Sequence, residues 1–213
     1  MKKLMLIMAL FIATPVVKSQ ENIYLVPERA NMRINVAVQI AKQLKDRGYD
    51  KIAVVYMNTS DLCALTAASL VASLKTLGVE AYYLKGADPD LPSKIRNLGA
   101  NWIYLAYFGE RPYEEVQGAL NQDLRILASG FERANLIVHP STLGLGFLAG
   151  VLVDDKIGEF LSRSNIKGFT VQQGKAEMVS VKVKDLEITI EPEPLPKKET
   201  PKTPKTPTRK RTR

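Results

Sequence analysis

The sequence is poor in the residues that most often carry chemistry. Its 213 residues include one cysteine, Cys63, and one histidine, His139. A single cysteine excludes an intramolecular disulfide, and Cys63 lies in an Ala-rich helical segment, where we expect a packed, unreactive thiol. A histidine with no second histidine or nearby cysteine argues against a metal site or a catalytic triad.

Nucleophile and phosphate-binding motifs are also missing. The sequence contains neither G-x-S-x-G nor G-x-x-x-x-G-K-[ST]. Gly144, Gly146 and Gly150 resemble part of a dinucleotide fingerprint, but no helix start follows them, so we expect them to allow close backbone packing. We therefore predict a protein that is not an enzyme and that has no cofactor and no metal site.

Long hydrophobic runs are absent as well. Residues 4–13 are apolar, but a membrane-spanning helix needs about 20 such residues. This run follows Lys2 and Lys3, and Ser19 then stands at an acceptable signal-peptidase site. We predict that residues 1–19 are a signal peptide cleaved after Ser19 and that the protein is periplasmic or secreted. An uncleaved anchor and a cytosolic chain are the alternatives.

Positive charge is concentrated at the two ends of the chain. The formal net charge is +8, of which residues 194–213 carry +7 and residues 1–19 carry +3, leaving −2 for residues 20–193. A near-neutral body gives no basic face for nucleic acid, so we predict no nucleic-acid partner. Residues 192–213 are rich in Pro, Lys and Thr, which predicts a disordered or partly polyproline II tail.

The body, residues 20–191, alternates between strand-like and helix-like segments. Short apolar runs begin near Lys51, Val79, Asn101 and Leu124, and helical patterns lie between most of them. Further strands are expected at "NIYLV" and "NLIVH". This order predicts an α/β fold with a single doubly wound, mostly parallel sheet and helices on both faces. Alternating apolar residues in "EMVSVKVKDLEITIEP" add a C-terminal edge strand or hairpin.

Ligands of open parallel sheets bind beyond the carboxyl ends of the strands. Small polar or aromatic residues follow several predicted strands at that edge. The candidate ligand-binding residues are Asn58, Thr59, Ser60, Asp61, Tyr107, Phe108, Ser129 and Ser141. Two other interpretations stay open: one of residues 58–61 only caps the next helix, and Tyr107 and Phe108 only close the core.

Four stretches resemble a known family. "RGYDKIAVVYMNTSD", "SLVASLKTLGVEAYYL", "IRNLGANWIYLAY" and "EMVSVKVKDLEITIEP" are similar to the second lobe of type I periplasmic binding proteins, the substrate-binding proteins of ABC transporters. The resemblance implies binding of a small polar molecule and a permease as partner. Because only one lobe is recognisable, a second lobe on another protein or a homodimer would have to complete the pocket.

Two functions remain open from the sequence. The first is an exported small-ligand binding module of this family. The alternative is a non-catalytic envelope interaction or structural protein, whose basic tail contacts an anionic cell-wall polymer, lipid head groups or a partner protein.

Overall fold

The structure is a computed structural model that describes residues 27–108 and 111–194. The strands are β1 (Lys51–Tyr56), β2 (Glu80–Lys85), β3 (Trp102–Ala106), β4 (Asn135–Val138), β5 (Asn165–Gln172), β6 (Lys175–Lys184) and β7 (Glu187–Pro192). The helices are α1 (Pro27–Asp46), α2 (Asp61–Thr76), α3 (Leu91–Leu98), α4 (Tyr113–Gly130), α5 (Pro140–Gly144), α6 (Phe147–Gly150) and α7 (Asp155–Arg163), with a 3₁₀ turn at Val151–Val153.

All seven strands form one sheet in the order β2-β1-β3-β4-β5-β6-β7. The first five strands of this order are parallel, and β6 and β7 are antiparallel to their neighbours. The predicted fold class, a mostly parallel α/β sheet, is therefore confirmed. Because β1 is followed by β2 on one side and by β3 on the other, the chain changes direction across the sheet between β1 and β3.

Helices contact one another in two groups. Helix α1 packs on α2, whereas α4 contacts α3 and α7. Residues 52–55 of β1 are completely buried, as expected for a parallel strand covered on both faces. Helix α1 buries Val36, Ala37, Ile40, Ala41 and Leu44, positions that recur at the 3.6-residue period of an amphipathic helix.

One predicted strand is wrong. The run beginning at Leu124 is the second half of α4, because its apolar residues continue the helical spacing set by Val116 and Leu120. Short apolar runs fit a strand or a buried helix equally well, and no Gly or Pro interrupts the chain between Gly118 and Leu127. The fifth parallel strand of the sheet is β5, for which the sequence pattern predicted no strand.

The C-terminal edge is a hairpin, as the alternation predicted. Strands β6 and β7 pair with Lys184 opposite Glu187. The two residues between them, Asp185 and Leu186, both have positive φ, at 51° and 63°. Two consecutive positive φ values are the geometry of the tight turn that matches strand twist. Strand β7 is almost entirely exposed.

Three predictions fall outside the described residues. These are the signal peptide of residues 1–19, the short strand at residues 22–26 and most of the tail from residue 195 onward. Within residues 27–108 and 111–194, no helix combines the length and the hydropathy needed to cross a membrane.

The helical assignment of residues 124–130 is testable by packing. Leu124 is fully buried, so Leu124→Ala should lower the free energy of unfolding by about 2–5 kcal/mol through lost transfer energy and a cavity. Gln122→Ala, on the exposed face of the same helix, is the control and should change stability by less than about 0.5 kcal/mol. If urea unfolding gives the same loss of stability for Leu124→Ala and for Gln122→Ala, the helical assignment of residues 124–130 is wrong.

Candidate functional site

The carboxyl edge of the parallel strands collects most of the predicted ligand residues. Asn58, Thr59, Ser60 and Asp61 follow β1, Tyr107 and Phe108 follow β3, and Ser141 follows β4. Ser129 is in the last turn of α4, where its hydroxyl donates to the Ile126 carbonyl. Because α4 begins after β3 and ends before β4, Ser129 lies at the opposite edge of the sheet. The placement of Ser129 beside a strand end was therefore wrong.

The end of β1 is closed by contacts within the protein. The Ser60 side chain accepts from the Cys63 backbone N–H at 3.2 Å and caps α2. The Thr59 hydroxyl donates to Glu115 Oε1 at 3.2 Å, and the Thr59 carbonyl accepts from Arg111 Nη2 at 2.6 Å. The crevice between β1 and β3, where the chain changes direction, is therefore bridged by the start of α4. For Ser60, the helix-cap interpretation is the one that the structure supports.

The end of β3 is closed by a buried carboxylate. The Tyr107 hydroxyl donates to Asp123 on α4, and Asp123 Oδ1 accepts from the Ala87 backbone N–H at 2.6 Å. Asp123 is 2% exposed and Tyr107 is completely buried. Burial raises the pKa of Asp123, and the hydrogen bonds from Tyr107 and Ala87 oppose that rise. Tyr107 therefore closes the core and does not face a ligand.

The end of β4 carries a donor that is left unsatisfied. His139 is 1% exposed, and its Nδ1 accepts from the Ser141 backbone N–H at 3.1 Å. This bond assigns the ring proton to Nε2. Nε2 is buried and has no hydrogen-bond acceptor among the described residues. Burial and the nearby Arg33 charge hold the pKa of His139 well below its usual range, so the ring is neutral.

Three further side chains surround this imidazole. The Phe108 ring contacts the His139 ring edge-on, with centroids 4.0 Å apart. Arg33, from α1, lies over Phe108 with its guanidinium carbon 5.3 Å from the ring centroid. Arg33 Nη1 also donates to the Ser141 hydroxyl at 3.3 Å. We call Arg33, Phe108, His139 and Ser141 the His139 cluster.

The His139 cluster offers hydrogen-bond donors of three kinds. A guanidinium, a hydroxyl and an imidazole N–H all suit an oxygen acceptor, and a carboxylate accepts several such bonds at once. His139 is not placed to act as a general base toward a serine, because its acceptor nitrogen Nδ1 already accepts a hydrogen bond from the Ser141 backbone N–H. Among residues 27–108 and 111–194, no group of His, Cys, Asp or Glu side chains could hold a metal ion.

Sequence reasoning missed two members of this cluster. His139 was considered only as a catalyst or a metal ligand, although its place at a predicted strand end beside Ser141 could have marked it as a ligand donor. Arg33 stands 108 residues before Ser141 in the chain. Nothing in the sequence joins these two residues, because their contact depends on how α1 packs against the sheet.

Comparison with known proteins places the chain in a family. A family model described as "Uncharacterized protein" matches residues 29–199. A protein of Aquifex aeolicus (strain VF5), also described as "Uncharacterized protein", is 39% identical over 143 residues, which are 67% of this chain and 68% of that protein. The chain therefore belongs to the family of this model.

Solved structures with partial similarity include two ABC transporter substrate-binding proteins and LpoA. They include an ABC transporter substrate-binding protein from Desulfitobacterium hafniense in complex with Leu (TM-score 0.42, 17% identity, 66% of this chain) and a fatty acid ABC transporter substrate-binding protein from Thermomonospora curvata (0.43, 14%, 64%). LpoA from Haemophilus influenzae is a third (0.44, 11%, 76%). The chain spans between 34% and 39% of each of these structures. Scores of this size carry no inference about function.

The buried Asp123 predicts an unusual pH dependence. Because its pKa in the folded state is raised above the ordinary 3.8, its contribution to stability is fully present below that value and is lost as pH rises through the folded pKa. The melting temperature of the unmodified chain relative to Asp123→Asn should therefore fall between about pH 4 and neutral pH. Thermal melts across this range measure the difference.

Asp154→Asn is the matched control for this experiment. Asp154 caps α7, and the backbone N–H of Ile157, together with Arg125, lowers its pKa. A lowered pKa gives stability that is lost as pH falls, and asparagine keeps the capping oxygen. The pH slope for Asp154 should have the opposite sign, and slopes of one sign for both variants would contradict the assignment of Asp123.

Proposed function

We propose that this protein is a non-catalytic binding module that holds a small molecule through a carboxylate group at the carboxyl ends of β3 and β4. One observation carries the proposal: His139 presents a buried N–H with no acceptor among the described residues. An unsatisfied buried donor costs about 1–3 kcal/mol. A ligand oxygen at Nε2 would remove that cost.

The surroundings of His139 support an anionic ligand group. The Arg33 guanidinium and the Ser141 hydroxyl are already joined by a hydrogen bond beside the imidazole. Phe108 supplies an apolar wall against both Arg33 and His139. The cluster also lies at the edge where open α/β sheets bind ligands. Asn58 and Asp61, which are exposed after β1, are proposed only as outer contacts to the polar part of the ligand.

We propose further that the module is exported and works with a partner. The leader pattern of residues 1–19 supports export. Binding pockets usually bury about 70–90% of a ligand, and a single lobe would cover only about half of one. A permease, a second lobe on another protein, or a second copy of this chain would cover the remainder. The sequence resemblance to substrate-binding lobes favours a role in transport.

Matched ligands test the chemistry of the site. A panel of free amino acids and short carboxylic acids is compared with the amides of the same compounds by thermal shift and calorimetry. A carboxylate at 100 times its Kd should stabilise the folded chain by about 2.7 kcal/mol. The corresponding amides should have little effect, because they lack the charge that strengthens bonds from Arg33 and His139. Equal shifts with acids and amides would contradict the proposal.

Two substitutions of His139 separate binding from packing. His139→Leu removes the Nε2 donor and should weaken carboxylate binding by about tenfold or more, the loss of a hydrogen bond to a charged group. His139→Gln keeps an N–H donor and should retain part of the affinity. Without ligand, His139→Leu should stay folded, with a stability within about 1–3 kcal/mol of the unmodified chain, because it removes the unsatisfied Nε2 donor but also the Nδ1 acceptor of the Ser141 backbone N–H. If His139→Leu binds carboxylates as tightly as the unmodified chain does, the proposed site is wrong.

A second candidate function rests on the charge of the tail. Residues 194–213 contain eight Lys or Arg residues and one Glu, which suits an anionic polymer, lipid head groups or an acidic partner protein. We propose this contact as an alternative role in the cell envelope. It does not require the His139 cluster.

Charge removal tests the tail in the full-length chain. Six Lys and Arg residues lie in residues 200–213, and replacing all six by Gln should abolish co-sedimentation with isolated envelopes. Added salt should release the unmodified chain, since exposed charges are screened over about 10 Å at 0.1 M salt. Replacing six exposed Thr and Ser residues of the body by Gln is the control. Co-sedimentation that survives removal of the six charges would reject this role.

A further inference from the structure

A groove lies at the amino edge of the sheet, opposite the His139 cluster. It has a volume of about 370 Å³. Its lining includes Arg47, Tyr49, Asp50, Trp102, Glu193 and Pro194. Tyr49 and Asp50 immediately precede β1, and Trp102 begins β3. We call these six residues the Trp102 groove.

The groove combines an aromatic wall with one acidic side chain, Asp50, that is not paired with a lysine among the described residues, and one basic side chain, Arg47. Tyr49 and Trp102 contact each other with ring centroids 4.7 Å apart, and Trp102 is only partly buried. Asp50 accepts from the Asn101 side chain at 2.9 Å, and this bond is the largest of the effects that lower the pKa of Asp50. An ionised carboxylate therefore stands beside a partly exposed indole ring.

Hydrogen bonds to Glu193 hold the chain in place where it reaches this groove. The Glu193 backbone N–H donates to the Met178 carbonyl at 3.1 Å, and the Glu193 carbonyl accepts from Arg47 Nη2 at 3.1 Å. The Glu193 carboxylate accepts from Lys167 and from the Ser180 hydroxyl. With backbone and side chain both held, the next residue, Pro194, lies against the groove.

The residues that follow Pro194 are of types that complement the aromatic wall and the Asp50 carboxylate of the groove. Residues 195–199 read Leu-Pro-Lys-Lys-Glu. A chain advances at most about 3.6 Å per residue, so Leu195 and Pro196 cannot lie more than about 7 Å from Pro194. Proline-containing extended segments dock in aromatic-lined grooves, and Lys197 or Lys198 would complement Asp50. The family match also extends five residues past Pro194, to residue 199.

We propose that residues 195–199 dock in the Trp102 groove, with Leu195 and Pro196 covering the Trp102 indole and a lysine facing Asp50. This docking would fix the point from which the basic residues 200–213 leave the body. That point lies at the amino edge, whereas the His139 cluster lies at the carboxyl edge. A carboxylate ligand and an anionic surface could then be bound at the same time without competing for one face.

The single tryptophan makes the docking directly measurable. Trp102 is the only tryptophan in the chain, so emission excited selectively from tryptophan reports on this groove alone. In the full-length chain, Leu195→Ser with Pro196→Ser should shift the emission to longer wavelength and increase quenching by acrylamide. Pro201→Ser with Pro204→Ser introduces the same kinds of change further along the tail. This control should leave both quantities as in the unmodified chain.

A second variant tests the charged contact. Asp50→Asn keeps the volume of the side chain but removes its charge, and it should increase acrylamide quenching of Trp102 at low salt more than at high salt. Thermal melts verify that each variant is folded. If Leu195→Ser/Pro196→Ser shows the same acrylamide quenching as the unmodified chain, the proposal is wrong. An equal change in both double variants would also overturn it, because the effect would then belong to the tail as a whole.

Discussion

The carboxyl edge of this sheet depends on one buried carboxylate. Asp123, on α4, receives hydrogen bonds from the Tyr107 hydroxyl after β3 and from the Ala87 backbone after β2. Ala87 has a φ of 56°, a conformation that residues with a side chain rarely adopt. The hydrogen bond that the Ala87 N–H donates to Asp123 therefore stabilises a turn that the backbone alone disfavours. Gly86 precedes it because an added Cβ would lie 2.9 Å from the Tyr56 carbonyl oxygen and would meet Asp123 itself.

Asp123 and His139 are two buried polar groups at the same edge of the sheet, and they differ in how completely they are hydrogen-bonded. Asp123 has partners for its oxygens, and its role is to join three segments of the fold. His139 has a partner for Nδ1 and none among the described residues for Nε2. Buried polar groups in proteins are nearly always hydrogen-bonded, and Nε2 of His139 is one of a few buried side-chain atoms among the described residues without a partner, so the proposed ligand is placed there. The proposed function follows from this contrast.

The two edges of the sheet divide the proposed roles. Helix α1 contributes to both, because its first turns bring Arg33 to Ser141 and the residue directly after its end, Arg47, contacts Glu193. The carboxyl edge holds the hydrogen-bond donors of the His139 cluster, and the amino edge holds the Trp102 groove. The parallel sheet separates these functions because every parallel strand runs from one edge to the other.

Local patterns were sufficient for most of the architecture. The apolar runs of β1, β2 and β3, the periodicity of α1 and the alternation of β6 and β7 each follow from side chains within a few positions of one another. The pattern failed at Leu124, since a short apolar run does not distinguish a strand from a buried helix. Of the predicted site residues, Ser60 is a cap, an interpretation that the sequence left open because its partner Cys63 is three residues away. Tyr107 is a core residue, and its partner Asp123 lies on another element, α4.

The sequence alone determined the α/β class, the order of most elements and the separation of a basic tail from a near-neutral body, since these depend on composition and short-range periodicity. Tertiary structure decided which polar residues are satisfied. Arg33 meets Ser141 and Tyr107 meets Asp123 only after the helices pack on the sheet. The same packing leaves Nε2 of His139 without an acceptor within the part of the chain that the structure describes. Hydrogen bonding of a buried group depends on neighbours that are distant in the chain, and no local pattern contains that information.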